Sequence, residues 1–181
     1  MKNYSKKHIL LFSFFIIGIS SLLMIKNIQS FDYWWHIKAG EYMVKTKSIP
    51  FTDVFSWFGV ENNLYWHSHE WLSEVVLYLF NCIFNSLGAY IFTLGLFLII
   101  LVSLFLCNKD NYYKNIRFSV FWIILGALIL VPVALPRPHM ISLILLLLEM
   151  YILFDYKKNK TKKIWIIPFI SILWVNFHGG S

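Results

Sequence analysis

Apolar residues run along this chain in long blocks, and the charged residues fall in the intervals between them. A helix needs about 20 residues to cross roughly 30 Å of hydrocarbon. Measured that way, the blocks predict about five transmembrane helices, near residues 9–25, 89–107, 118–135, 140–154 and 164–178. The first block follows Lys2, Lys6 and Lys7, as the apolar part of a signal peptide would. It is long for that role, and Lys26-Asn27-Ile28 lacks the small residues of a cleavage site, so it reads as a retained first span. Pro132, Pro136 and Pro138 close the third block, because proline cannot continue a helical hydrogen-bond ladder.

Residues 28–71 follow another pattern. Asp32, His36, Glu41, Asp53, Glu61, His67, His69 and Glu70 alternate there with five tryptophans. The stretch is too polar for lipid and too aromatic for a disordered linker. Amphipathic rings suit the headgroup boundary, so it is expected to be an ordered outer loop resting on the membrane. Residues 34–45 read as a short helix ended by Ser48-Ile49-Pro50. Residues 70–85 read as an interfacial helix, with a break at Ser86-Leu87-Gly88. The predicted fold is therefore an all-α integral membrane protein, a single membrane domain over 1–181 with short interfacial helices in its first outer loop.

Composition supports that class. Hydrophobic residues make up 59% and charged residues 14%, against roughly 45–50% and about 25% in soluble domains. A soluble fold of this composition would expose large apolar patches. The net charge of +7 could suggest nucleic acid, but the basic residues punctuate apolar runs and form no face, so nucleic acid is not an expected partner. They act as topology signals. With the N-terminus inside, Lys2, Lys6, Lys7, Lys109, Lys114, Arg117, Lys157, Lys158, Lys160, Lys162 and Lys163 fall on the inner side. Lys26, Lys38, Lys45, Lys47 and Arg137 fall on the outer side. That asymmetry predicts a multi-pass protein with a cytoplasmic N-terminus. Richness in Lys, Ile, Asn and Phe agrees with a bacterial plasma membrane. Cys82 and Cys107 lie in or beside apolar runs and are expected to be packing residues, not a disulfide. The fifth run stops just after His178-Gly179-Gly180, which reads as the N-terminal part of something longer.

The outer side holds nearly all the residues able to do chemistry: Asp32, His36, Asp53, His67, His69, Glu70, Arg137, His139 and His178. Surface loops carry polar groups anyway, but ionisable groups at the outer ends of separate spans point to a shared water-filled cavity. Asp32, between Phe31 and Tyr33-Trp34-Trp35, is expected to lose water to the rings and act as a base, or to cap the helix that follows. His67-Ser68-His69-Glu70 offers imidazole and carboxylate ligands in an order that matches no zinc-binding helix pattern. Arg137, held between two prolines, suits a phosphate, from a lipid headgroup or a specific ligand. His178 precedes two glycines, where backbone can approach a ligand or simply end a helix.

Taken as a set, Phe31-Asp32-Tyr33-Trp34-Trp35-His36 with Gly40 and Glu41, residues 50–57, His69-Glu70-Trp71-Leu72-Ser73-Glu74, Arg137-Pro138-His139 and Asn176 with His178-Gly179-Gly180 form a familiar pattern. It resembles the N-terminal half of bacterial membrane glycosyltransferases of the GT-C superfamily, in particular the protein-mannosyltransferase-like and lipid-A-modifying relatives. The resemblance implies a transferase that moves a sugar from a polyprenyl-phosphate donor to an envelope acceptor at the outer face of a lipid membrane. It assigns the catalytic base to Asp32. The chemistry of the outer residues themselves makes His36, His69, Glu70, Arg137, His139 and His178 the expected substrate-binding residues. The chain lacks the paired acidic residues of the best-studied members near Asp32, so no metal ligand is assigned, although the chemistry leaves room for a divalent cation. Two other classes fit a polar outer cavity: a transporter of lipid or sugar, and a non-catalytic membrane scaffold. The absence of internal repeats and of mid-span polar groups disfavours the transporter.

Overall fold

The computed structural model describes residues 31–114 and 131–179, Gly18, and isolated positions among 121–129. The predicted spans at 9–25 and, for the most part, 118–135 lie outside the described residues. What is described is all-helical. The helices are α1 (Phe31–Thr46), α2 (Trp57–Glu61), α3 (Trp71–Phe84), α4 (Gly88–Lys114), α5 (His139–Asn159) and α6 (Ile167–Phe177). Three 3₁₀ turns, Asn85–Leu87, Val131–Val133 and Lys162–Ile166, join or precede them. Among the described residues the only extended pairing is one bridge between Thr52 and Tyr65.

Local chemistry supports α1 and explains where it ends. Asp32 in its first turn and Lys45 in its last complement the helix dipole. On its outer face Glu41 accepts from Lys38 at 2.8 Å and Lys45 at 2.6 Å. These lysines hold the Glu41 carboxyl down to about 2. The helix stops where the Thr46 hydroxyl turns back to the Tyr42 carbonyl and Lys47 takes a positive φ.

The buried face of α1 lies along α3, which packs in turn on α4 and on the end of α6, while α5 lies between α4 and α6. Tyr33, Leu77, Ala89, Phe92 and Ile141 form one core where α1, α3, α4 and α5 meet. Phe97, Ile100, Leu101 and Met140 form a second between α4 and α5. At Asn85, another positive-φ position, the chain breaks, and α3 and α4 meet at a bend of 119°. They are therefore not one straight rod.

Among the described residues α5 is the helix long and apolar enough to cross a membrane, with 17% of its most apolar stretch buried. Most of its surface, including Leu146, Leu148, Leu153 and Phe154, faces outward. Outward-facing apolar rows of this kind suit lipid better than water. Cys82, read from sequence as a packing residue outside any disulfide, is free but exposed on α3.

The excursion between α1 and α3 is built around Asp53. Its carboxylate accepts from the backbone N–H groups of Phe55 and Ser56 and from the Ser56 hydroxyl, while Ser56 caps α2 through the Gly59 N–H. These bonds favour the charged carboxylate and hold its pKa below the usual aspartate value. Trp35 of α1 packs edge-to-face with Phe55 and Trp66 of this excursion.

Candidate functional site

Asp32 and His36 stand one turn apart on α1 and therefore share a face. Arg137 reaches that face from the proline turn before α5, and its Nη2 lies 2.8 Å from Asp32 Oδ2. The expectation that aromatic neighbours strip water from Asp32 is not met. Its side chain is 54% exposed, because Tyr33 turns into the core. One oxygen of its carboxylate is engaged by Arg137.

Behind this pair lies a cluster of imidazoles and carboxylates. His36, almost wholly buried, presents Nδ1 to Glu74 Oε1 at 3.3 Å and Nε2 to Glu70 Oε2 at 3.9 Å. Glu70 occupies the N-cap position of α3 but makes no side-chain cap bond. Its Oε1 lies 3.3 Å from His178 Nε2 and 3.8 Å from His69 Nε2. The other nitrogen of His178 is 3.0 Å from Ser142 Oγ on α5, and that oxygen also accepts the indole N–H of Trp174 at 2.9 Å. Serine carries one donor and two lone pairs. Ser142 can therefore serve His178 as donor or as acceptor, whichever form the ring takes.

The end of α6 is stitched to the start of α3 pair by pair. Trp71 Nε1 donates to Asn176 Oδ1 at 2.7 Å, and the buried Ser73 hydroxyl donates to the Phe177 carbonyl at 2.5 Å. His178 meets Glu70, and Gly179 lies against the His69 ring. The close approach that the glycines permit is thus used by His69.

Of the residues singled out from sequence, the structure brings together Asp32 with Arg137 and His36 with His69, Glu70 and His178. His139 opens α5 two residues after Arg137, and His67 stays in the exposed loop, where its carbonyl faces His69 Nδ1 at 3.1 Å. Glu74, Ser142 and Trp174 were missed. Glu74 is the second carboxylate of the cluster, and one of its oxygens is buried without a hydrogen-bond partner among the described residues. Its position one turn after Glu70 was the available signal. Glu149, midway along α5 and accepting from Ser171 Oγ at 3.2 Å, was also passed over; the fourth predicted span therefore carries a polar group at mid-length, where none was expected. Among the described residues no group of three or more His, Cys, Asp and Glu side chains is placed to hold a metal ion. The imidazole nitrogens face carboxylate oxygens instead of a common point, so the divalent cation left open by the sequence finds no matching ligand set here.

Comparison with known proteins adds no neighbour: no family model matches the chain, and no curated protein or solved structure matches it. The site has to be read from its own geometry.

Proposed function

We propose that this protein is a membrane glycosyltransferase that moves a sugar from a polyprenyl-phosphate donor to an envelope acceptor at the outer face of the plasma membrane. In this reading the chain crosses the bilayer about five times with its N-terminus inside. The observation that carries it is the polarity of α5. Its 21 residues rise about 32 Å at 1.5 Å per residue, close to the hydrocarbon thickness. At one end stand Arg137, His139 and Ser142; at the other stand Lys157 and Lys158, followed by Lys160, Lys162 and Lys163. A lysine-rich inner end and a site-bearing outer end are what the positive-inside rule requires. The Lys162–Ile166 turn and α6 then rise roughly 26 Å together, and His178 returns to the site.

The chemistry follows from what lies at that outer end. The donor's phosphate leaves with negative charge, which the guanidinium of Arg137 stabilises. A carboxylate at the same mouth takes the acceptor's proton, and the histidines beside Glu70 hold hydroxyl groups of the sugar or acceptor. The test is sugar transfer in proteoliposomes, from radiolabelled polyprenyl-phosphate hexoses to an extracted envelope fraction. Wild-type protein transfers label and Arg137→Ala loses most of it. Undiminished transfer by Arg137→Ala would remove the phosphate role, and a silent wild type would end the transferase reading.

A further inference from the structure

Two carboxylates at the site are candidates for the proton acceptor, and their surroundings differ. Asp32 is engaged by a guanidinium at 2.8 Å, so taking up a proton would dissolve that ion pair and leave Arg137 without this partner. Glu70 has the opposite setting. Its oxygens face three imidazoles, His36, His69 and His178, at 3.3–3.9 Å. Histidine is the side chain best able to relay a proton near neutral pH. The set also has an inside and an outside. The His69 side chain is 62% exposed, Glu70 17%, and Glu74, behind His36, only 6%. A helix N-terminus commonly takes a carboxylate as its cap, yet Glu70 makes no such bond and turns its oxygens to the histidines.

Resting on the transferase reading, we propose that Glu70, not Asp32, is the proton acceptor, with His178 and His69 passing the proton on and Asp32 acting as the partner that phosphate displaces from Arg137. The step balances as follows. The acceptor O–H gives its proton to Glu70, the oxygen forms the new bond to the sugar's anomeric carbon, and the bond to the phosphate oxygen breaks with its electron pair. The products are the glycoside, polyprenyl phosphate held at Arg137 and protonated Glu70. His178 holds Glu70 from the Ser142–Trp174 side, which makes Ser142 a positioning residue.

The experiment measures kcat, KM and pH profile in proteoliposomes, alongside binding of sugar-free polyprenyl phosphate. Glu70→Gln is expected to lower kcat on the order of 100-fold or more while polyprenyl phosphate binding stays within about twofold. Should that variant misfold, Glu70→Ala with added formate supplies the second reading: formate restores part of kcat if a carboxylate proton acceptor is what was lost. His178→Asn shifts the acid limb of the profile, which a purely structural role would not. Asp32→Asn moves KM more than kcat. A Glu70→Gln enzyme with wild-type kcat, or an Asp32→Asn enzyme that loses kcat at unchanged KM, overturns the proposal while leaving the transferase reading intact. A wild type that binds polyprenyl phosphate and transfers nothing overturns both.

Discussion

The imidazole of His69 fills the space that a side chain at Gly179 would need: a Cβ built there would stand 2.7 Å from His69 Cδ2 and 2.8 Å from its Cβ. A loop residue beside α3 and a residue just past the end of α6 thus set each other's position, and both flank Glu70.

Gly179→Ala is therefore expected to push His69 away and loosen the junction. Overpacking of this kind costs about 1–3 kcal/mol, and the exposure of His69 puts the effect at the low end. Thermal unfolding in detergent micelles should show it. Combining Gly179→Ala with His69→Gly should recover much of the loss, since only glycine at 69 removes the Cβ as well as the ring from the contact.

Gly40 presents a harder case. A Cβ there would collide with the Glu74 carbonyl oxygen and lie 2.8 Å from Tyr78 Cβ. Alanine gains about 1 kcal/mol of helix propensity over glycine, but the obstacle is backbone and cannot swing aside. The clash wins, and Gly40→Ala should destabilise by about 3 kcal/mol, with loss of monodisperse protein on size exclusion. A Gly40→Ala protein as stable as the wild type would contradict the contact between α1 and α3.

How much of this was legible beforehand depends on whether a feature is local. The helix predicted over 34–45 is observed as Phe31–Thr46, and the one over 70–85 as Trp71–Phe84, because a turn-forming Ser-Ile-Pro and a Ser-Leu-Gly break punctuate the sequence itself. Asp32, Arg137, Glu70 and His178 stood out by residue type. Their pairing did not, since nothing near Asp32 says that Arg137 will arrive from a turn beyond α4. Ser142, Trp174 and Ser73 are ordinary residues in apolar helices until α6 folds back on α3 and α5. The exposure of Asp32 was misjudged for the same reason: neighbours in sequence, Tyr33 above all, point elsewhere.

Asn176→Ala tests the junction from its polar side. It leaves the Trp71 indole N–H without the acceptor now 2.7 Å away, and an unsatisfied half-buried donor costs about 1–3 kcal/mol. Ser73→Ala removes the donor to the Phe177 carbonyl and should cost a similar amount. Because both bonds fasten the same two segments, the double variant should lose less than the sum. Strict additivity in thermal unfolding would mean that the two bonds act independently.

Asp53 links the loop between α1 and α2 to pH. Its pKa is depressed in the folded loop by the Ser56 hydroxyl and the Phe55 and Ser56 amides. A carboxyl with a lowered folded value contributes stability above its ordinary range near 3.8, and loses that contribution as pH falls through the folded value. Proteolysis within residues 50–66 should accordingly stay slow from neutral pH down past pH 5 and rise only in stronger acid. Asp53→Ala should be cut faster at neutral pH and approach the wild-type rate in acid. Equal rates for the two proteins at pH 7 would show that the carboxylate does not hold the loop.

The Asp32–Arg137 pair makes the sharpest separation between stability and function. With side chains 54% and 37% exposed, such a pair is worth about 1 kcal/mol or less, so neither Asp32→Asn nor Arg137→Gln should move the unfolding midpoint by more than a few degrees. Their effects on polyprenyl phosphate binding should run in opposite directions. Arg137→Gln removes the guanidinium and weakens binding by roughly tenfold or more, the scale of one lost charge-assisted hydrogen bond. In the proposed reading Asp32→Asn removes a carboxylate that competes with phosphate for the same group, and binding should tighten. Titration of each variant with polyprenyl phosphate, followed by tryptophan fluorescence, decides the matter. If both substitutions weaken binding alike, Asp32 is holding Arg137 in place for the phosphate instead of yielding to it.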